Sequence, residues 1–294
     1  MVDTSSHQKA PEGPRYLPIS EHGLIGDLGS VALVGTNGTI DWYCCPDFDS
    51  PSVFASILDA DRGGSFELAA SVPARTKQFY FPDTNVLITR FFTGDGVGEV
   101  QDFMPVSGEP AEAERHRLIR RVLCVRGSVP FQVRVAPGFD YGAQPHTLQM
   151  LGEVVVFQST NISLALTATV PVEGDGPDVR ADFKLAEGES AVLALDQVGG
   201  DVTPRGCPHV EAEEQFVATV AYWRRWLSAA SGAGGGRWCT VPPSRSSCSP
   251  THRPARSSRP RRRVCPSSTV VSATGTTGMC GCATPHSAST RCCG

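Results

Sequence analysis

The residue order predicts an all-β fold: a large antiparallel β-sandwich followed by one linker helix and a disordered tail. Three observations predict it. Ten or so short runs rich in β-branched and aromatic residues follow one another, separated by Gly- and Asp-bearing turns. A single long stretch near residue 220 repeats at helical spacing. Charge and cysteine usage change abruptly near residue 230. The expected organisation is a disordered leader (1–15), a sandwich domain (16–205), a linker helix (209–230) and a disordered basic tail (231–294).

The first elements lie in ISEHGLIGDLGSVALVGTNGTIDWYCCPDFDSPSVFASILD, residues 19–59. Residues 30–35 form a short apolar run suited to a buried strand. Asn37-Gly38 suits the positive φ angles of a two-residue hairpin turn, and residues 39–45 return as a second strand. Ser50 stands where a helix N-cap belongs, with Pro51 at the first helical position ahead of Val53, Phe54 and Ile57. Strand candidates then follow at 65–70, 78–81, 85–93 and 98–106. Two more, 118–125 and 129–135, flank Gly127, and the second alternates as VPFQVRV. The last four are 153–158, 161–170, 178–185 and 190–196. Two facing sheets would bury the Val129, Phe131, Val133 and Val135 face against Leu164, Leu166 and Ala168. In EAEEQFVATVAYWRRWLS, residues 211–228, Phe216, Val220, Trp223 and Leu227 share one helical face, with acids leading. That helix could pack on its own sandwich or lead to a further domain.

Composition sets outer bounds. The 294 residues suffice for one large or two ordinary domains, and 40% hydrophobic content with 30 Gly and 23 Pro suits a globular β-rich chain. No apolar run approaches the roughly 18 residues of a membrane span. The opening residues MVDTSSHQKAPEGPR lack the apolar centre of a secretory signal, which makes the cytoplasm the expected location. The net charge of −4 averages two unlike segments. Residues 231–294 hold nine Arg and no acid, a balance of +9; the preceding residues therefore hold 17 basic and 30 acidic side chains, a balance of −13. Seven of the 11 cysteines also fall in the last segment.

That segment has four readings. It could be a plain basic tail, or a phosphate-binding arm centred on RSSRPRRR, residues 256–263. It could be a metal module, although Cys280, Cys282, Cys292 and Cys293 lack paired ligand spacing. The fourth reading is a translation out of frame. If each intended codon joins the last base of one codon to the first two of the next, the last residues of the chain allow WMRDAAFSFNALL. Such a slip falls between Leu227 and Trp238, in the Gly/Ala run 229–236, and explains the Arg, Pro, Ser and Cys excess. It is the favoured reading, so no nucleic-acid partner and no metal or cofactor is expected.

The stretch YLPISEHGLIGD (16–27), together with VALVGTNGTIDWYCCPDFDSPSVFASILD, resembles the opening of glycoside hydrolase family 15 proteins of the bacterial trehalase and glucoamylase type. About 35 positions match in one order and spacing. The resemblance implies a β-sandwich placed before a catalytic (α/α)6 barrel, with the long helix linking them. It also implies hydrolysis of α-glucosidic bonds in trehalose or glucan with inversion. Inversion requires two carboxyl groups about 6.5–9.5 Å apart. In the family both are barrel glutamates, so no catalytic residue carries over to this chain, and the shifted frame places the family's W-x-R-D word where the barrel would begin.

Asp41, Trp42, Asp47 and Asp49 are the candidates for contact with the substrate side, since indole faces stack on sugar rings and carboxylates accept sugar hydroxyls. A core role for Trp42 and a turn role for Asp49 compete with this, and family members commonly carry a basic residue where Asp47 stands. Cys44 and Cys45, adjacent on a strand, cannot form an ordinary bridge and are expected to be buried free thiols. His22 and His116 have no carboxylate or nucleophile partner in a recognisable motif and read as surface or packing histidines. The expected partner is carbohydrate in the intact enzyme, and a sandwich built to dock on a barrel would expose an apolar face and self-associate.

Overall fold

The structure, a computed structural model, describes residues 16–106, 116–199 and 209–232, with side chains to residue 229. The expectations for the leader, the basic tail and its reading frame fall outside these residues. Among the described residues fifteen strands form two antiparallel sheets that share one long strand. The strands are β1 (His22–Gly26), β2 (Val31–Gly35), β3 (Thr39–Cys44), β4 (Ser52–Phe54), β5 (Gly64–Ala70), β6 (Arg75–Tyr80), β7 (Leu87–Phe92) and β8 (Gly96–Phe103). They continue with β9 (Arg117–Pro137), β10 (Thr147–Leu151), β11 (Val154–Gln158), β12 (Ser163–Ala168), β13 (Glu173–Asp175), β14 (Asp178–Ala186) and β15 (Ser190–Val198). One helix, α1 (His209–Gly232), follows.

Strand β9 is where the two sheets meet. Its first half pairs with β8 and β15 in sheet B, which continues through β12, β11 and β10 on one side and β7 and β6 on the other. Its second half, from Ser128, pairs with β5 and β14 in sheet A, which continues through β3, β2 and β1. Sequence pattern divides this strand at Gly127, but the chain runs on as one strand of 21 residues. Gly127 allows the crossing. It sits at φ +68°, and a Cβ there would lie 2.2 Å from the Asp95 carbonyl oxygen.

Between the sheets lies the expected core. Val129, Phe131, Val133 and Val135 are buried in one cluster with Leu164 and Leu166, and Ala168 packs partly buried against it. The opposite face of sheet B is covered by α1. Val86, Phe103, Ile119, Val192 and Ala194 form a second cluster there with Ala212 and Val220, and Phe216 packs on it. The helix is therefore held by its own sandwich. Arg117 reinforces the seam by pairing with both Asp196 on β15 and Glu211 in the first turn of α1.

Two local expectations are corrected. Residues 52–54 are strand, not the start of a helix: Tyr43 pairs with Phe54 and Cys44 with Ser52, and all three β4 residues are buried. The Ser50 hydroxyl accepts from the Asp47 N–H behind it instead of capping forward, and Val53 C=O accepts from Gly138 N–H. Tertiary pairing overrides a good local helix signal. In the β2–β3 hairpin only Gly38 has positive φ (+86°), and Gly38 N–H donates to Gly35 C=O. This makes a three-residue connection in place of the expected two-residue turn.

Candidate functional site

The site begins with an irregularity in β3. Leu33 pairs with Trp42 and Val34 with Ile40, so Asp41 is one residue too many for its partner strand. A bulge of this kind re-aims side chains and breaks strict alternation. Ile40 and Tyr43 enter the core, while Asp41 lines a cleft on the outer face of sheet A.

Register explains the remaining lining. Thr39 lies opposite Glu67, Glu67 opposite Arg134, and Arg134 opposite Arg180, which makes one cross-strand row on the outer face. Ser65 opposite Ala136 belongs to the next row, with Asp178 beside them. The cleft, about 480 Å³, is walled by the segment 55–64 and by Tyr16 and Leu17. That segment is tied down by Ala55 N–H to Gly63 C=O, Ile57 N–H to Asp41 C=O, and Asp59 Oδ1, which accepts from the N–H groups of Asp61 and Arg62. A second hollow of about 380 Å³ shares Asn37, Thr39, Glu67 and Arg134, so the two form one polar trough along the sheet.

Within the trough Arg134 pairs with Asp178 at 2.7 Å and lies 3.6 Å from Glu67. Asp41 pairs with His22: Nε2 stands 2.7 Å from Oδ2, while Nδ1 stands 2.9 Å from the Pro18 carbonyl oxygen. A carbonyl can only accept, so Nδ1 carries a proton, and the contact at Nε2 then requires one further proton shared between His22 and Asp41. Burial raises the Asp41 carboxyl above its usual value, and His22 pulls it part of the way back. Two buried polar atoms of this lining, Asp41 Oδ1 and Arg134 Nε, have no hydrogen-bond partner among the described residues.

The four sequence candidates therefore separate. Asp41 lines the trough. Trp42 is half-buried, its ring 6.2 Å from that of Tyr141. Asp47 and Asp49 are exposed on the segment between β3 and β4 and do not line the cleft. His22 and His116 are packing histidines as expected, but both do have carboxylate neighbours, Asp41 and Asp27 respectively. Glu67, Arg134 and Asp178 carry no motif; only the VPFQVRV alternation, which turns Arg134 outward, hints at them. Cys44 and Cys45 are buried and free, and burial pushes the Cys45 thiol up to about 12. Among the described residues no group of three or more His, Cys, Asp or Glu side chains could hold a metal ion, and no helix is long and apolar enough to cross a membrane.

Relatives place this sandwich. A trehalase from Thermoplasma volcanium is 30% identical over 233 residues, covering 74% of this chain and 35% of the relative. A trehalase from Mycolicibacterium smegmatis is 30% identical over 239 residues, covering 72% and 35%. "Trehalase 2" of Sulfolobus acidocaldarius is 35% identical over 114 residues, covering 39% and 18%. The chain spans about a third of the length of the first two. The family described as "Trehalase-like, N-terminal" matches residues 9–221, through the whole sandwich and into α1, and the chain belongs to that family.

Proposed function

We propose that residues 16–232 are the non-catalytic N-terminal sandwich, with its linking helix, of a glycoside hydrolase family 15 protein that cleaves trehalose or an α-glucan. The observation that carries this reading is the family match, which ends inside α1, together with relatives named trehalase that are about three times longer than the matched region. The inverting pair of carboxyls then belongs to a barrel and not to the sandwich, and residues 231–294 are the start of that barrel read out of frame. The acid-free composition of that segment supports the frame shift.

The purified 294-residue chain is expected to hydrolyse neither trehalose nor maltose in a glucose-release assay. Turnover that disappears with Asp41→Asn would overturn the assignment. Sequencing the DNA across the codons for residues 227–240 checks the frame directly. Helix α1 also leaves Val210, Val217 and Trp226 exposed. These apolar side chains support docking against a further domain and, in its absence, self-association. Sedimentation at increasing concentration should show association that weakens in Trp226→Ser; a strictly monomeric wild type refutes it.

A further inference from the structure

We infer that residues 16–21 form a strap along the cleft of sheet A, latched by one proton shared between His22 and Asp41 and released when that proton is lost. Access to the cleft then rises with pH. The device lies within the sandwich and operates whether or not a barrel follows it.

Little burial holds the strap. Pro18, Ile19, Ser20 and Glu21 are all exposed, Ile19 by 75%. Leu17 is half-buried over Gly35, where a Cβ would lie 2.7 Å from Leu17 Cδ1. Polar ties include Tyr16 Oη, which accepts from Ala60 N–H at 3.3 Å, and the Glu21 carbonyl, which accepts from Thr36 N–H at 2.9 Å. A segment so sparsely buried opens at low cost. The Pro18 carbonyl is its inner tie, since it meets both Glu21 N–H and His22 Nδ1 at 2.9 Å.

Proton count decides whether that tie holds. The His22 side chain is 1% exposed, so its two contacts must be made by Pro18 and Asp41 and not by water. With the shared proton present, Nδ1–H reaches Pro18 and a proton lies between Nε2 and Asp41 Oδ2. Without it, a neutral ring has one proton for two acceptors. The ionised carboxylate is the stronger acceptor, so the proton stays at Nε2. A bare Nδ1 then faces the Pro18 carbonyl, lone pair against lone pair, and attraction becomes repulsion. An extra proton at low pH does no such harm, because protonated Asp41 still accepts from imidazolium.

The surroundings agree in sign. Burial raises the Asp41 carboxyl and His22 lowers it part of the way. A group raised on folding favours the latched form at low pH and ceases to do so as pH passes its folded value. Facing the pair across the cleft are Glu67 on β5, Arg134 on β9, Asp178 on β14, and Asp61 and Arg62 on the segment 55–64. Glu21 adjoins His22 in the strap, β2 offers only VALVG, and β6 and β7 approach Gly23 through Gln78 and Leu87. Acids outnumber guanidiniums among these, which favours keeping the proton.

The test follows the full chain by NMR across pH, reading the His22 ring nitrogens and amide exchange together. As pH rises, Nδ1 should be the nitrogen that loses its proton. Protection of the Glu21 and Thr36 amides, corrected for base catalysis of exchange, should fall about tenfold at the same midpoint, the effect of one lost hydrogen bond. His22→Gln should leave the strap loose at every pH. Asp41→Asn should keep it latched at every pH, because the amide donates to Nε2 and leaves Nδ1–H for Pro18; loss of a merely structural contact would loosen it instead. His116→Gln, which alters the pair with Asp27, should behave as the wild type. The inference is overturned if Nδ1 keeps its proton throughout, if protection is constant or changes at another midpoint, or if Asp41→Asn loosens the strap at low pH. Should Asp41→Asn unfold, the wild-type ring titration decides alone. None of these outcomes bears on the hydrolase reading, which the glucose-release assay tests separately.

Discussion

Strand β9 carries two arginines fourteen positions apart whose surroundings could hardly differ more. Arg120, in the half that belongs to sheet B, points into the space between the sheets and is fully buried. All three of its nitrogens are engaged: Nε and Nη2 reach Asp102 at 2.8 and 3.3 Å, Nη1 reaches the Phe66 carbonyl at 2.7 Å, and Nη2 reaches the Gly38 carbonyl at 2.6 Å. Its guanidinium also lies 4.8 Å from the Phe66 ring centroid. Arg134, in the half that belongs to sheet A, points outward with its side chain 42% exposed, pairs closely with Asp178 at 2.7 Å and distantly with Glu67 at 3.6 Å, and leaves a buried Nε without a partner among the described residues. One arginine closes a network within the fold. The other lies at the mouth of a cleft, with its guanidinium shared between Asp178 and Glu67. The difference teaches that a fully buried charge here is tied into the architecture from both sheets, whereas the same side chain at a cleft is held only by two partners that solvent screens.

The largest expected effect falls on the buried member. Arg120→Met leaves Asp102 buried without its partner, and loss of one half of a buried pair costs about 3–5 kcal/mol. Urea unfolding should show it as a lowered midpoint at unchanged slope. Burial raises the Asp102 carboxyl and Arg120 pulls it back, so the pair stands or falls together. The double variant Arg120→Met with Asp102→Leu should recover most of the loss, because an apolar pair of similar size avoids desolvation altogether. A double variant as unstable as the single one would show that the Phe66 and Gly38 carbonyls, not Asp102, are what Arg120 serves.

Gly38 sharpens the same contrast from the other sheet. Its φ is +86°, and a Cβ would lie 2.1 Å from the Leu68 carbonyl oxygen, a backbone atom that cannot step aside. Gly38→Ala is expected to cost about 1–3 kcal/mol for the dihedral alone, with further loss as the shift of the turn draws the Gly38 carbonyl away from Arg120 Nη2. The combination with Arg120→Met should then be less than additive, which a mutant cycle reads directly.

How much of this was legible beforehand follows from the reach of each interaction. The strand sequence from Phe66 to Leu195 shows in local alternation, and the α1 face of Phe216, Val220, Trp223 and Leu227 shows in its spacing. What pattern could not reveal is pairing between distant segments. Ser50-Pro51 carries a sound helix signal, but Ser52–Phe54 is claimed by β3 and by the Gly138 N–H. Gly127 looks like a turn, yet it is the residue through which one strand serves two sheets. The candidate site shows the same divide. Asp41 stood out from its motif, whereas the bulge that turns it into the cleft depends on register with β2. Glu67, Arg134 and Asp178 share a cleft only because β5, β9 and β14 pair as they do. Asp47 and Asp49 had the right chemistry in the wrong place.

The smallest expected effect belongs to the exposed arginine and is the one that most directly breaks the comparison if it fails. Arg134 gives up little when removed: its pairs with Glu67 and Asp178 are screened by solvent at 42% exposure, so Arg134→Gln should cost at most about 1 kcal/mol. The amide also keeps a donor for Asp178. Added salt should weaken the wild type slightly more than the variant, since screening acts only on the charged pair. A loss comparable to that of Arg120→Met would mean that Arg134 is part of the architecture after all. A loss of a few tenths of a kcal/mol would separate the two arginines by energy as clearly as their burial separates them by place.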